Sequence, residues 1–149
     1  MIALDTNVLV RFLIADDAEQ HRQVVAFIER ALAHESVLLI PSIVLVETVW
    51  VLRRSYRLTR AEIAAVLHRL LSVRQLELDA RDRVMRALRR FETGKGDFSD
   101  YLIAEQAAAK GAEAVVTFDR GLLAESGFVT PEHKSLSGLA SSAPRNSSR

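Results

Sequence analysis

Four stretches far apart in the chain each set an acid in or beside an apolar run. They hold Asp5 after Ile2-Ala3-Leu4, Glu47 within Ile43–Leu52, Asp97 and Asp100 around Phe98-Ser99, and Asp119 after Ala114–Thr117. A buried strand that ends in a carboxylate puts that carboxylate at the C-terminal edge of its sheet, where open α/β sheets keep their ligands. Carboxylates gathered at one edge repel one another, so a cluster of them is stable only with bound cations. Ligation by oxygen alone selects a hard ion such as Mg²⁺ or Mn²⁺. Such a site suits phosphoryl transfer, because the ion lowers the pKa of an attacking water and stabilises the leaving oxygen. His21, His34, His68 and His133 fall on helix surfaces or in the terminal segment, so imidazole is not required.

Each acid also has a plainer reading. Asp5 serves as N-cap of a helix beginning near Asn7, with Thr6 helping. Glu47 is the one charge in ten otherwise apolar or weakly polar residues. On a helix apolar all round it is buried, where it needs a metal, a proton or one of the many arginines as partner. Of all the acids it then carries the greatest desolvation cost. Asp97 and Asp100 suit an N-cap and a dipole-favouring acid in the first turn, although positions i and i+3 also share a face. Asp119 suits a turn.

The elements that must position these acids follow from pattern. Strands are expected over Met1–Leu4, Val37–Ile40, Gln75–Leu78, Ala114–Thr117 and Phe128–Thr130. Helices are expected over Asn7–Ile14, Ala18–His34, Ile43–Tyr56 with Ser42 as N-cap, and Thr59 to about Val73. The Thr59–Glu62 spacing is that of a capping box. Two more helices run from about Asp79 to Phe91 and from Ser99 to Lys110, the second closed by Gly111 as a C′ glycine. Strands alternating with helices indicate a parallel α/β sheet. The stretch from Ser135 onward is Ser, Ala, Gly and Pro with little apolar mass, and a disordered tail is expected there.

With 149 residues and 49% apolar content the chain suits one domain with a substantial core. It has no cysteine, which excludes disulfides, thiolate zinc sites and cysteine nucleophiles. No signal peptide and no run near the ~20 apolar residues of a membrane span is evident, so a cytoplasmic, membrane-free protein is expected. The net charge is +1, but Lys134, Arg145 and Arg149 lie in a tail without acids, which leaves −2 on residues 1–133. A body without basic excess argues against nucleic-acid binding by bulk electrostatics, though not against a cleft lined by a few arginines.

Four segments carry a resemblance. Leu4-Asp5-Thr6-Asn7, Glu47 in its apolar helix, Asp97-Phe98-Ser99-Asp100-Tyr101-Leu102-Ile103-Ala104 and Val116-Thr117-Phe118-Asp119 resemble, in order and spacing, the PIN-domain nucleases. The short form is similar to the VapC-type toxins of bacterial toxin–antitoxin pairs. The resemblance covers residues 1–131 as a nuclease domain, with 132–149 as a tail outside it. It implies a PIN-like three-layer sandwich with a central four- to five-stranded parallel sheet flanked by helices. It implies an acidic quartet of Asp5, Glu47, Asp100 and Asp119 holding Mg²⁺ or Mn²⁺ for endoribonuclease cleavage of single-stranded regions of RNA. Asp100 is preferred to Asp97 because the family's third acid directly precedes the apolar helix; Asp97 is then auxiliary. Thr6, Asn7 and Thr117 match positions that support the site through hydrogen bonds. The implied partners are RNA, a cognate antitoxin and a second copy, the last two docking on the apolar face around Glu47 and the following helix.

A different class of protein also clusters acids at the edge of a parallel sheet, namely a non-catalytic Mg²⁺-binding receiver-like signalling module. It requires a lysine after its last strand, and Phe128-Val129-Thr130-Pro131 supplies none. Its acceptor aspartate would have to be Asp79.

Overall fold

The computed structural model describes residues 1–133. The expectation of a disordered tail therefore lies, from residue 134 on, outside the described residues. In chain order the elements are β1 (Ile2–Ala3), α1 (Thr6–Leu13), α2 (Ala18–Ala33), β2 (Leu38–Ile40), α3 (Ser42–Arg54) and α4 (Arg60–Ser72). They continue with β3 (Leu76–Leu78), α5 (Arg81–Thr93), α6 (Phe98–Ala109), β4 (Val115–Val116) and β5 (Phe128–Val129). The fold is α/β.

All strand pairings are parallel. β2 lies between β1 and β3, with Ile2 opposite Leu38 and Leu38 opposite Leu76. β4 pairs with β5, Val115 opposite Phe128. The five expected strands are present but short, and their hydrogen bonds form a ladder of three strands and a ladder of two rather than one continuous set. β2 is the most enclosed, with Leu38 and Ile40 fully buried, and its unbroken apolar run reflects helices packed around it.

Helix boundaries follow local chemistry. Thr59 and Glu62 form the capping box of α4, and Gly111 takes φ +85° just after α6. Ser42 departs from expectation. It is the first residue of α3, after Pro41 at the cap, and its hydroxyl donates to the Asp79 carbonyl (3.2 Å) and carboxylate (3.1 Å). Pro41 needs no hydrogen-bond donor and has the fixed φ that suits a helix entrance.

α3 is not apolar all round in its surroundings. Leu45, Thr48, Val49 and Leu52 face inward, while Ile43 and Trp50 are 65% and 59% exposed, and Glu47 is exposed as well. The helix touches α1, α4 and α6, which cover only the stripe at i, i+3/i+4 and i+7. The remaining apolar side chains were legible as apolar but not as core.

The C-terminal half of the core is aromatic. Phe91 of α5 and Phe98 of α6 meet edge-to-face at 6.1 Å between ring centroids, and Tyr101 is fully enclosed. Burying each of these rings contributes roughly 1.5–3 kcal/mol. Their packing fixes the α5–α6 connection, and with it the acids at the start of α6.

Candidate active site

β1 delivers Asp5. After Leu4 donates its backbone N–H to Leu39 O (2.9 Å), the chain turns, and Asp5 becomes the N-cap of α1, its Oδ1 accepting from Val8 N at 2.8 Å. The capping reading of Asp5 is thus realised by one carboxylate oxygen. Next to it, Thr6 Oγ1 donates to Glu47 Oε2 at 2.5 Å, joining the start of α1 to the middle of α3 across 41 positions of sequence. Glu47 forms no ion pair with an arginine among the described residues, and it is exposed rather than buried. The expectation that it carries the greatest desolvation cost is overturned, because only one stripe of α3 is covered.

That role belongs to Asp100. Burial first, and the negative charge of Asp119 second, hold the Asp100 carboxyl above its ordinary value. Two acids from separate elements therefore share one electrostatic neighbourhood. Asp119 follows β4 in a tight turn: its backbone N–H donates to Thr117 Oγ1 (3.0 Å), and its Oδ1 accepts from Gly121 N (2.8 Å). Thr117, one of the residues expected to support the site, thus accepts a hydrogen bond from the backbone of Asp119. The Asn7 side chain makes no hydrogen bond among the described residues and is exposed.

Asp97 and Asp100 differ in role. Asp97 caps α6 and forms an ion pair with Arg53 of α3. Its backbone N–H donates to Asp100 Oδ2 at 2.8 Å, and Asp100 Oδ1 accepts no hydrogen bond among the described residues. Asp97 is thus neutralised by a cation, while Asp100 faces a like charge.

A network absent from the sequence reading holds the 94–97 loop. Tyr101 Oη accepts from Gly96 N (2.9 Å) and donates to Glu125 Oε1 (2.8 Å), which also accepts from Lys95 N (3.0 Å). Arg60 donates to the carbonyls of Phe91, Gly96 and Lys95 at 2.7, 3.0 and 3.2 Å, with its guanidinium over the Phe91 ring. A Cβ on Gly94 would collide with the Tyr101 hydroxyl, so the loop can lie this close only with glycine there. Burial and the Glu125 bond raise the Tyr101 phenol; the Lys95 and Tyr101 donors lower Glu125. The sequence held one signal of this, the two glycines of the loop.

The donors present, four carboxylates and supporting hydroxyls, are the oxygen ligands a hard divalent ion takes. The pressure of Asp119 on Asp100 is of the kind a cation relieves. Among the described residues no three acids or histidines stand together as a ready-made cage. The structure ties Glu47 to Thr6, the residue after Asp5, and sets Asp100 within reach of the charge of Asp119.

A parallel α/β fold with acids at strand ends and helix starts defines a class, and residues 2–126 match the PIN domain family. The chain belongs to that family. It is 28% identical over 120 residues to the VapC ribonuclease of Aquifex aeolicus (strain VF5), an overlap of 80% of this chain and 88% of the relative. The receiver-like alternative is set aside by this membership, and Asp79, its acceptor candidate, is engaged by Ser42.

Proposed function

We propose that the protein is a divalent-metal-dependent endoribonuclease of the VapC type, cutting single-stranded regions of RNA as the toxin of a toxin–antitoxin pair in the cytoplasm. The observation that carries this reading is the delivery of Asp100 and Asp119 from separate elements into one neighbourhood, where burial first and the charge of Asp119 second raise the Asp100 carboxyl. Family membership and the similarity to a VapC ribonuclease support it. Asp5, Glu47, Asp100 and Asp119 would hold the Mg²⁺ or Mn²⁺. When bound, the ion supplies an activated water and charge neutralisation at the phosphodiester.

The chain's own residues do the rest. Thr6 orients Glu47, Thr117 and Gly121 fix the Asp119 turn, and the Asp97 backbone N–H aims the Asp100 carboxylate. Arg53 neutralises Asp97, so that acid adds less repulsion to incoming phosphate. No helix among the described residues is long and apolar enough to cross a membrane. Ile43 and Trp50, exposed on α3, are side chains that a second copy or an antitoxin would cover.

The test is cleavage of a fluorescent single-stranded oligoribonucleotide. Turnover is expected with Mg²⁺ or Mn²⁺, poorly with Ca²⁺, whose larger radius misplaces the attacking water. Full cleavage in excess EDTA would remove the metal from the mechanism.

A further inference from the structure

We propose that Phe118 is a stacking platform for an unpaired base and Arg120 the adjacent phosphate contact, so that the turn 117–121 selects single-stranded RNA. This rests on the ribonuclease reading and says how the same site would recognise its substrate class.

Phe118 is 85% exposed, the most exposed large apolar side chain among the described residues. A lone apolar residue at a surface is ordinary, but three features set this one apart. Its position is fixed between Thr117 and Asp119, beside the acid whose charge reaches Asp100. Its turn is tied by hydrogen bonds: Thr117 N donates to Val129 O (2.9 Å), Asp119 N to Thr117 Oγ1 (3.0 Å), Gly121 N to Asp119 Oδ1 (2.8 Å) and Leu122 N to Asp119 O (3.1 Å). Leu122 anchors that turn in the core at 3% exposure. Finally, Val116, the last residue of β4, is itself 49% exposed, so a second uncovered apolar side chain stands two residues from the ring in sequence.

An exposed ring on a hydrogen-bonded turn, next to a proposed metal-binding acid, is a surface on which a base can stack. Every unpaired base offers a π-face, whereas duplex RNA hides its base faces. Arg120 is exposed and joins no ion pair among the described residues, unlike Arg11, Arg53 and Arg86. A solvated guanidinium two residues from the ring suits the neighbouring phosphate. The body of the chain carries net negative charge, so such local contacts matter more here than bulk attraction.

The experiment uses the full chain carrying Asp100→Asn, in Mg²⁺, with a fluorescein-labelled single-stranded oligoribonucleotide and the same strand in duplex. Adding Phe118→Ala is expected to weaken single-strand binding about tenfold, with less than about twofold effect on the duplex. Phe118→Trp restores binding, and Arg120→Ala lowers the slope of log affinity against log salt by about one. On the otherwise wild-type chain, Phe118→Ala raises KM while kcat changes less than about threefold. Unchanged affinity, equal loss on duplex, a large fall in Tm, or a changed oligomeric state with unchanged RNA binding would each overturn the assignment. A protein that cuts RNA with the same KM in Phe118→Ala loses this inference alone. One that binds single strands through Phe118 yet cuts no RNA loses the ribonuclease reading instead.

Discussion

Asp100, at the start of α6, is partly buried and feels the charge of Asp119, which follows β4, burial being the larger cause and that charge the second. The Asp100 carboxyl is raised, so the folded state opposes its ionisation. For the metal-free protein the sign is definite. Stability is full below the ordinary carboxylate value and falls as pH rises through the raised one.

Asp100→Asn is therefore expected to abolish cleavage and leave the metal-free Tm at pH 7 unchanged or higher than wild type. The gap should close on acidification below about pH 4, where the wild-type carboxyl is protonated in both states. Thermal melts in EDTA across that range check it. Unfolding of the variant at neutral pH would mean that Asp100 is structural.

Glu47 gives a different expectation. It is exposed and tied to Thr6 rather than to an arginine, so Glu47→Gln should change stability by less than about 0.5 kcal/mol while weakening cleavage. Thr6→Val removes the tether and should raise the Mg²⁺ needed for half-maximal cleavage. A loss of several kcal/mol in the Gln variant, measured by urea denaturation, would point to a buried partner and take Glu47 out of the metal site.

Tyr101→Phe removes the acceptor for the buried Gly96 N–H and one donor to Glu125. An orphaned buried amide costs about 1–3 kcal/mol, and the loop leading into Asp97 and Asp100 loosens. Lower Tm together with a higher Mg²⁺ requirement is expected; an unchanged Mg²⁺ dependence would show that the loop keeps its shape without the phenol.

The lowered Glu125 contributes stability above the ordinary carboxylate value and loses it as pH falls through its folded value. Glu125→Gln should thus be less stable than wild type at pH 7, with the difference shrinking as pH falls below the ordinary carboxylate value and through the lowered one. Equal Tm values at pH 7 would contradict the network.

Truncation after His133 removes three basic residues and no acid. Residues 1–131 are proposed to be the nuclease domain, so fold and cleavage should persist, with a modest, salt-dependent weakening of RNA binding. Loss of cleavage at saturating RNA would assign the tail a catalytic part.

The sequence alone determined what depends on neighbours along the chain. The Thr59–Glu62 box, Gly111 after α6, the buried run of β2 and Asp5 at the start of α1 are short-range chemistry, where residue type and spacing suffice. It also located Asp5 and Asp119 after strands and Asp97 and Asp100 at the start of a helix. Which acid is buried, and which is paired, depends on what packs across from it. Glu47 sits in an apolar run, yet α1, α4 and α6 cover only one stripe of its helix, so it is exposed and held by Thr6. The resemblance preferred Asp100 to Asp97, but that Arg53 pairs with Asp97 while burial and the charge of Asp119 act on Asp100 is seen only in the structure. Burial and Coulomb interactions act between residues close in space whatever their separation in sequence, and tertiary packing alone decides them.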